Sequence, residues 1–368
     1  MSVNTNNTTH TKIYGTIGPA CCDADMLVRF YEMGMTGIRI NLSHTDLPEA
    51  ADWIEAIHTA YRQVHGEYQG ADKENIPEIL MDLRGPELRI GTLRTERSLE
   101  TGDMLTLVEE GRNNLFDPTE IPVPGPVLQH LKTGDEILLD DGKILLEVDG
   151  FFRLQTSYDA KNNSVGTAEC RVKRGGVLKS GKSIAITGVE ITAPTLTESD
   201  LGNIALAKEY GVTGVMLPFV RNQEDLKKLK EELRKARAED IQIFAKIENL
   251  AGVKQLPELL PWCDEIVIAR GDLGNAMPLW NLPVVQAQIE ETCRQAGKPF
   301  MVVTQMLASM EQKPVPTRAE VSDIFRAVND GAASVMLTGE TAAGAYPAEA
   351  MEYMTKTVRA AEQYLRER

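Results

Sequence analysis

Positive charge, cysteine, aromatic residues and long apolar runs are all scarce in this chain of 368 residues. Lys and Arg number 39 against 54 Asp and Glu, a formal net charge of −15, whereas nonspecific binding to nucleic acid or to an anionic membrane needs positive surface. Any anionic ligand must therefore meet a local cluster of cations. Five cysteines without regular spacing argue against a disulfide framework and fit a reducing compartment. Adjacent Cys21 and Cys22 read as incidental loop residues rather than a redox pair. Five scattered histidines offer no zinc spacing. No apolar run approaches the roughly 18 residues of a spanning helix. The polar segment Met1–Thr11 has neither a signal-peptide core nor the Arg-rich pattern of a transit peptide. The expected location is cytoplasmic, with no membrane and no nucleic acid as partner. Neither a Walker A sequence nor a GxGxxG behind a strand occurs, so P-loop and Rossmann nucleotide sites are not expected.

What the sequence does have is a series of short, β-rich apolar runs, most followed by a polar loop and a helical pattern. They begin near Lys12, Gly37, Glu78, Gly214, Ile243, Glu265, Phe300 and Ser334. Eight strand–helix units predict a parallel (β/α)8 TIM barrel of the α/β class, with a doubly wound sheet explaining the count less well. Helical stretches fall at Asn222–Glu239 and Val284–Gln295, the latter stopped by Gly297-Lys298-Pro299. Successive strands start 22 to 41 residues apart, except that the third and fourth are separated by 136. The excess, about residues 86–188, carries short alternating pieces broken by Gly, Asp and Asn turns, the pattern of a small all-β domain. The expected organisation is a first barrel part at 1–85, an inserted β lid domain after strand three at 86–188 and a second barrel part at 189–368. Barrel chemistry occurs at the C-terminal strand ends, where such an insert is placed to close over a ligand.

Several ionisable or hydroxyl groups fall at those strand ends. A period of two groups Arg39, Asn41 and Ser43, then Lys246 and Glu248, then Arg270 and Asp272. Asp82 ends strand three, Thr304 strand seven, and Thr338 and Glu340 strand eight. Glu248 and Asp272 are hard oxygen ligands from adjacent strands and suit Mg2+ or Mn2+, although pairing with Lys246 or Arg270 is an alternative reading. Asp82 with Asn41 and Ser43 forms an all-oxygen set of low charge, suited to a monovalent cation. Lys246, Arg39 and Arg89 supply local positive charge for a phosphate ligand.

These segments resemble the pyruvate kinase family. The resemblance is carried by Arg39-Ile-Asn-Leu-Ser-His44, Met81-Asp-Leu-Arg-Gly-Pro-Glu-Leu-Arg89, Lys246-Ile-Glu-Asn249, Ala269-Arg-Gly-Asp-Leu-Gly274, Thr304-Gln-Met-Leu307, Pro316-Thr-Arg-Ala-Glu320 and Leu337-Thr-Gly-Glu-Thr341, in the family's order. The insert, with Asp140-Asp-Gly142 and Gly175-Gly-Val-Leu178, resembles the family's lid. The resemblance implies a glycolytic phosphotransferase that moves a phosphoryl group from phosphoenolpyruvate to ADP, giving pyruvate and ATP. It implies Glu248 and Asp272 as ligands of Mg2+ or Mn2+. For K+ it implies Asn41, Ser43, Asp82 and the backbone carbonyl of Leu83. Arg39 and Lys246 would contact the phosphoryl group, with Lys246 also facing the departing enolate oxygen. Backbone N–H groups of Gly271 and Asp272 would receive the substrate carboxylate beside Thr304, and Phe219 keeps the family's aromatic position. His44, Arg89, Lys182 and Asn41 would meet the nucleotide, and the enolate's proton would arrive near Thr304, relayed through Glu340.

Four positions depart from the family pattern: Leu83 for Thr, Arg84 for Lys, Thr45 for Gly and Pro218 for Ser. Glu87 of Gly85-Pro86-Glu87 implies activation by K+. The family's further C-terminal effector domain is expected to be absent, which implies insensitivity to sugar phosphates, and a homo-oligomer, with a dimer favoured, is expected. Two other functions are compatible with a lysine beside metal-binding carboxylates on a barrel: an aldolase or lyase acting on 2-oxo acids, through a metal-held enolate or a Schiff base at Lys246, and a non-catalytic binding homologue.

Overall fold

The apolar runs are strands because they are rich in Ile, Val and Met and, as barrel strands, are buried on both faces, which also explains why they read as continuous rather than alternating. The computed structural model of the chain describes residues 10–66, 76–86, 88–111, 119–140, 142–152, 166–189, 191 and 194–368. Glu87, Asp141 and the first nine residues of the N-terminal segment lie outside the described residues. The chain divides into two units. One is Met1–Gly85 with Thr195–Leu273 and Trp280–Arg368, and the other is Pro86–Pro194 with Gly274–Leu279.

In the first unit, β1 (Lys12–Thr16), β2 (Gly37–Asn41) and β3 (Glu78–Asp82) precede the insert. The insert contributes β4 (Arg97–Leu99), β5 (Met104–Glu109), β6 (Glu120–Val123), β7 (Glu136–Leu139), β8 (Ile144–Phe152), β9 (Thr167–Arg174), β10 (Gly176–Leu178) and β11 (Ile184–Ile186). The barrel then resumes with β12 (Gly214–Leu217), β13 (Gln242–Ile247), β14 (Glu265–Ala269), β15 (Phe300–Val303) and β16 (Ser334–Met336). The eight barrel strands close in chain order, with β3 beside β12 and β16 beside β1, and every pairing is parallel. The expected (β/α)8 barrel is thus the observed fold, with outer helices that include Gln223–Lys235 and Leu282–Ala296.

Alternate strand residues fill the barrel: Tyr14, Leu80, Met216, Phe244, Val267, Ala269, Met301, Val303 and Met336 form one buried cluster. A Cβ on Gly214 would lie 2.4 Å from Leu80 and 2.7 Å from Phe244; the missing side chain is what lets those two large residues meet inside the barrel.

The second unit has its own core, with Leu107, Ile121, Ile137, Leu146, Cys170 and Val172 among its fully buried members. Its six-stranded sheet runs β11-β7-β8-β9-β5-β6, antiparallel except for β5–β6, with β4 and β10 paired separately. A six-residue helix, Gly125–His130, joins this otherwise β-rich segment.

At the opening residues of the barrel strands sits a polar cluster. Tyr14 donates to Glu78, which also accepts from Lys12 Nζ at 2.7 Å, and Ser334 donates to Glu265. Burial pushes the Glu265 carboxyl up from 4.5 to about 7, with Ser334 and Lys12 opposing and Glu78 adding to the rise. The folded protein therefore holds a proton that the unfolded chain releases between these values. That stabilisation is present in full below pH 4.5 and is lost as the pH climbs through about 7. Glu265→Gln keeps an acceptor for Ser334 and removes the titration. It should be more stable than the wild type at alkaline pH, by on the order of 1–3 kcal/mol. Denaturant unfolding of both proteins at acidic and mildly alkaline pH measures this, and parallel pH dependence of the two would contradict it.

Candidate active site

The inward-facing files that build the core end in polar residues: Leu80 is followed two positions on by Asp82, Phe244 by Lys246 and Tyr14 by Thr16. Arg39 and Asn41 on β2 face Leu80 and Asp82 across the ladder. Arg39 Nε and Nη2 reach Asp82 Oδ2 at 2.8 and 2.7 Å, and Arg39 Nη1 donates to Thr16 Oγ1 at 3.3 Å. Lys246 Nζ lies 3.1 Å from Asp82 Oδ2 and 2.9 Å from Glu248 Oε1. Asp82 and Glu248 are 1% and 3% exposed. Unpaired charges so placed would cost several kcal/mol each; two cations beside two anions make the cluster neutral. Burial works to lower the pKa of Lys246, but the Asp82 and Glu248 carboxylates outweigh it and hold the ammonium above its ordinary value.

Glu248 has a second task. Its Oε2 accepts the Phe219 backbone N–H at 2.8 Å, and Phe219 has φ +53°. The residue before it, Pro218, packs its ring where a Cβ on Gly85 would stand, 2.4 Å away. Gly85 itself has φ +61°, so that turn admits glycine for two reasons.

Thr304 follows β15 with φ +74°, and Gln305 has φ +56°. For a β-branched residue this backbone is an outlier costing about 1–3 kcal/mol. A Cβ on Gly271 would come within 3.0 Å of Thr304 Cγ2, so the glycine admits the threonine. Glu340, 1% exposed, accepts from Leu307 N at 3.0 Å with Oε1, and from Thr338 N at 2.7 Å and Thr338 Oγ1 at 3.1 Å with Oε2.

The alternation drawn from the sequence stops short in three places. Ser43 lies in the turn after β2, where its N–H donates to Asn41 Oδ1 at 3.2 Å. Glu248 follows the end of β13 at Ile247. Arg270 and Asp272 belong to a short helix, Arg270–Asn275, where residues two apart do not share a face. Arg270 turns instead to the carbonyls of Val303 and Thr304 and to Asp323 at 2.6 Å. The pairing alternative for the carboxylates is realised for Glu248 with Lys246, whereas Arg270 pairs with Asp323.

Among the described residues no three His, Cys, Asp or Glu side chains converge as a metal cage. A divalent ion at Glu248 and Asp272 would take a sparse carboxylate pair from neighbouring strand ends, which fits Mg2+, an ion that retains waters and substrate oxygens. The K+ set fits by its chemistry too: neutral oxygens of Asn41, Ser43 and Leu83 with one carboxylate. Sequence reasoning missed the residue that aims the Leu83 carbonyl. Asp200, fully buried, accepts Arg84 N–H at 2.8 Å and Gly85 N–H at 3.1 Å. Because the peptide is planar and trans, fixing the Arg84 N–H fixes the Leu83 C=O on the opposite edge. Thr197-x-x-Asp200, a capping box at the start of helix Glu198–Leu206, was the legible signal.

His44, exposed, donates its backbone N–H to the Asn41 carbonyl at 3.2 Å. In the second unit Arg89 Nη1 donates to the Gly181 carbonyl at 2.8 Å, and Lys182 Nζ lies 2.8 Å from Asp140 Oδ1. Lys143 approaches the other oxygen of Asp140 at 3.3 Å, and burial, which raises the Asp140 pKa, is overcome by these two lysines, so it lies below the usual value.

Asp82→Ala would leave Arg39 without its carboxylate and Lys246 with Glu248 alone, and should destabilise the barrel by about 3 kcal/mol. Denaturant unfolding reads this directly; a midpoint within error of the wild type would show that the buried cluster contributes no net stability.

A family model described as the pyruvate kinase barrel domain matches residues 8–351. The pyruvate kinase of Geobacillus stearothermophilus is 37% identical over 359 residues, covering 97% of this chain and 58% of its own length. That of Bacillus licheniformis is 37% identical over 94% of this chain and 56% of its own, so the chain spans little more than half of either relative. The Thermococcus litoralis pyruvate kinase is 37% identical over 356 residues, 96% of this chain and 70% of its own length. With residues 8–351 matched by the barrel-domain model and relatives 37% identical over 96–97% of its length, the chain belongs to the pyruvate kinase family.

Proposed function

We propose that the chain is a pyruvate kinase that transfers the phosphoryl group of phosphoenolpyruvate to ADP with Mg2+ (or Mn2+) and K+, and that it works in the cytoplasm, as a homodimer. In the reaction the bond between phosphorus and the enol oxygen breaks, a bond from phosphorus to the ADP β-phosphate oxygen forms, and the enolate takes a proton at C3 to become pyruvate. The observation that carries this reading is the Arg39–Asp82–Lys246–Glu248 cluster. In a chain of net charge −15 it collects two buried cations at the mouth of the barrel, already oriented by carboxylates.

Phosphoryl transfer asks little covalent work of protein groups and much positioning and charge stabilisation. Lys246, held charged by its neighbours, would stabilise the enol oxygen as it gains negative charge, and Arg39 would orient the transferring group. Because the cluster is neutral as it stands, a polyanionic substrate needs further positive charge. Mg2+ held by Glu248 and Asp272 would supply it as a Lewis acid toward phosphoryl oxygens, and K+ among Asn41, Ser43, Asp82 and the Leu83 carbonyl would add a fixed monovalent charge. The backbone N–H groups of Gly271 and Asp272 would bind the substrate carboxylate, Phe219 would wall the pocket, and the proton delivered to C3 would arrive near Thr304, relayed through Glu340. His44, Arg89 and Lys182 would meet the nucleotide phosphates.

A Schiff-base aldolase needs a neutral amine, and a lysine whose pKa lies above its ordinary value is the wrong nucleophile for that chemistry. The exposed Trp280 and Val284, 80% and 57% exposed, offer apolar surface of the kind a subunit contact buries.

Purified protein with Mg2+, K+, ADP and phosphoenolpyruvate should produce pyruvate in a coupled assay, and folded protein without turnover would sink the proposal. Lys246→Met should lower kcat by about 100-fold or more while changing KM for phosphoenolpyruvate far less, because its charge matters most as the enolate oxygen develops. A variant with intact kcat and weakened KM would assign Lys246 to ground-state binding instead.

A further inference from the structure

Arg270, 12% exposed at its side chain, is bonded in more directions than a solvated arginine needs. Nη2 donates to the Thr304 carbonyl at 2.9 Å, and Nε points to the same oxygen at 3.2 Å and to the Val303 carbonyl at 3.3 Å. Nη1 is anchored on Asp323 Oδ2 at 2.6 Å, from the helix Arg318–Asn329, and Nη2 also lies 2.9 Å from Met306 Sδ. The guanidinium thus grips the turn that carries Thr304 and Gln305 at positive φ.

We propose that Arg270 is a positioning residue that acts through Thr304. By holding the Thr304 carbonyl it fixes the plane of the peptide that follows, and with it the left-handed backbone that directs the threonine side chain. Two further contacts make the grip specific. Gly271, the next residue, has no Cβ to collide with Thr304 Cγ2, and Glu340 fastens the far end of the turn through Leu307 N–H. The planar fork is what this task requires: it meets two successive carbonyls and a carboxylate at once, which a lysine ammonium cannot do in one plane. The inference rests on the pyruvate kinase reading, in which the proton that reaches C3 of the enolate arrives near Thr304. In that step a C3–H bond forms and the C2–O⁻ enolate becomes a carbonyl. Run backwards, the same step exchanges the methyl protons of pyruvate with solvent.

The test is a double-mutant cycle on two readouts: overall kcat and KM with phosphoenolpyruvate and ADP, and exchange of pyruvate methyl protons in D2O followed by proton NMR. The proteins are the wild type, Arg270→Met, Arg270→Lys, Thr304→Ala and the double variant Arg270→Met with Thr304→Ala, with thermal melting to establish folding. Arg270→Met should slow exchange about tenfold or more with KM for phosphoenolpyruvate within about threefold, Arg270→Lys should fall between it and the wild type, and the double variant should be no slower than the worse single one. If Arg270→Met does not fold, the cycle is run with Arg270→Lys. Losses that multiply in the double variant, or unchanged exchange in Arg270→Met, would overturn the inference while leaving the functional reading intact. A folded wild type with neither turnover nor exchange would overturn the functional reading and this inference together.

Discussion

The shared grip of Arg39 and Lys246 on the Asp82 carboxylate, with Glu248 completing the charge balance, is the constraint on which the rest of the site depends. Four ionic groups cannot be buried at the end of a barrel unless each finds its opposite, and the eight-stranded geometry brings three strands close enough to do so. The arrangement begins as ordinary barrel packing. For two of the four, one step below the charged residue in the same inward file lies an apolar one, Leu80 beneath Asp82 and Phe244 beneath Lys246. The core therefore fixes the height and direction of the charges. The price is that the cluster is useful only while intact, because losing one member strands the others in a dry environment.

Two strained turns stand on this base. Phe219 and Thr304 both have positive φ at the C-terminal ends of barrel strands, and in each a charged side chain holds the backbone: Glu248 accepts the Phe219 N–H and Arg270 donates to the Thr304 carbonyl. Strain of this kind persists only where surrounding contacts over-determine it, and it concentrates where geometry serves chemistry. Glu248 illustrates the economy of the design, since one carboxylate neutralises Lys246, orders the Phe219 turn and is the proposed ligand of the divalent ion.

The barrel was legible in the sequence because burial on both faces forces each strand into a dense apolar run with sharp polar ends, so that Gly37–Asn41 and Glu265–Ala269 announce themselves. The identities of the strand-end groups were legible for the same reason. Their orientations were not. Period-two counting continued through Asp272 and Ser43 as though the strands went on, whereas one residue lies in the first turn of a helix and the other in a turn. The capping-box spacing marks Asp200 as a helix-start residue, but the further partners of Asp200 and Arg270 are backbone groups far away in sequence, at Arg84 and Gly85 and at Val303 and Thr304. No composition or spacing rule marks a carbonyl as a binding partner, and nothing in a threonine codon announces a positive φ.

If the site is an electrostatic device built around a permanently charged lysine, the protonation state of Lys246 decides the matter. The NMR resonance of its ε-CH2 group, identified by its loss in Lys246→Met, should keep ammonium character past the ordinary lysine value of 10.5. A resonance that titrates near about pH 7, the behaviour of a lysine tuned as base or nucleophile, would contradict the account.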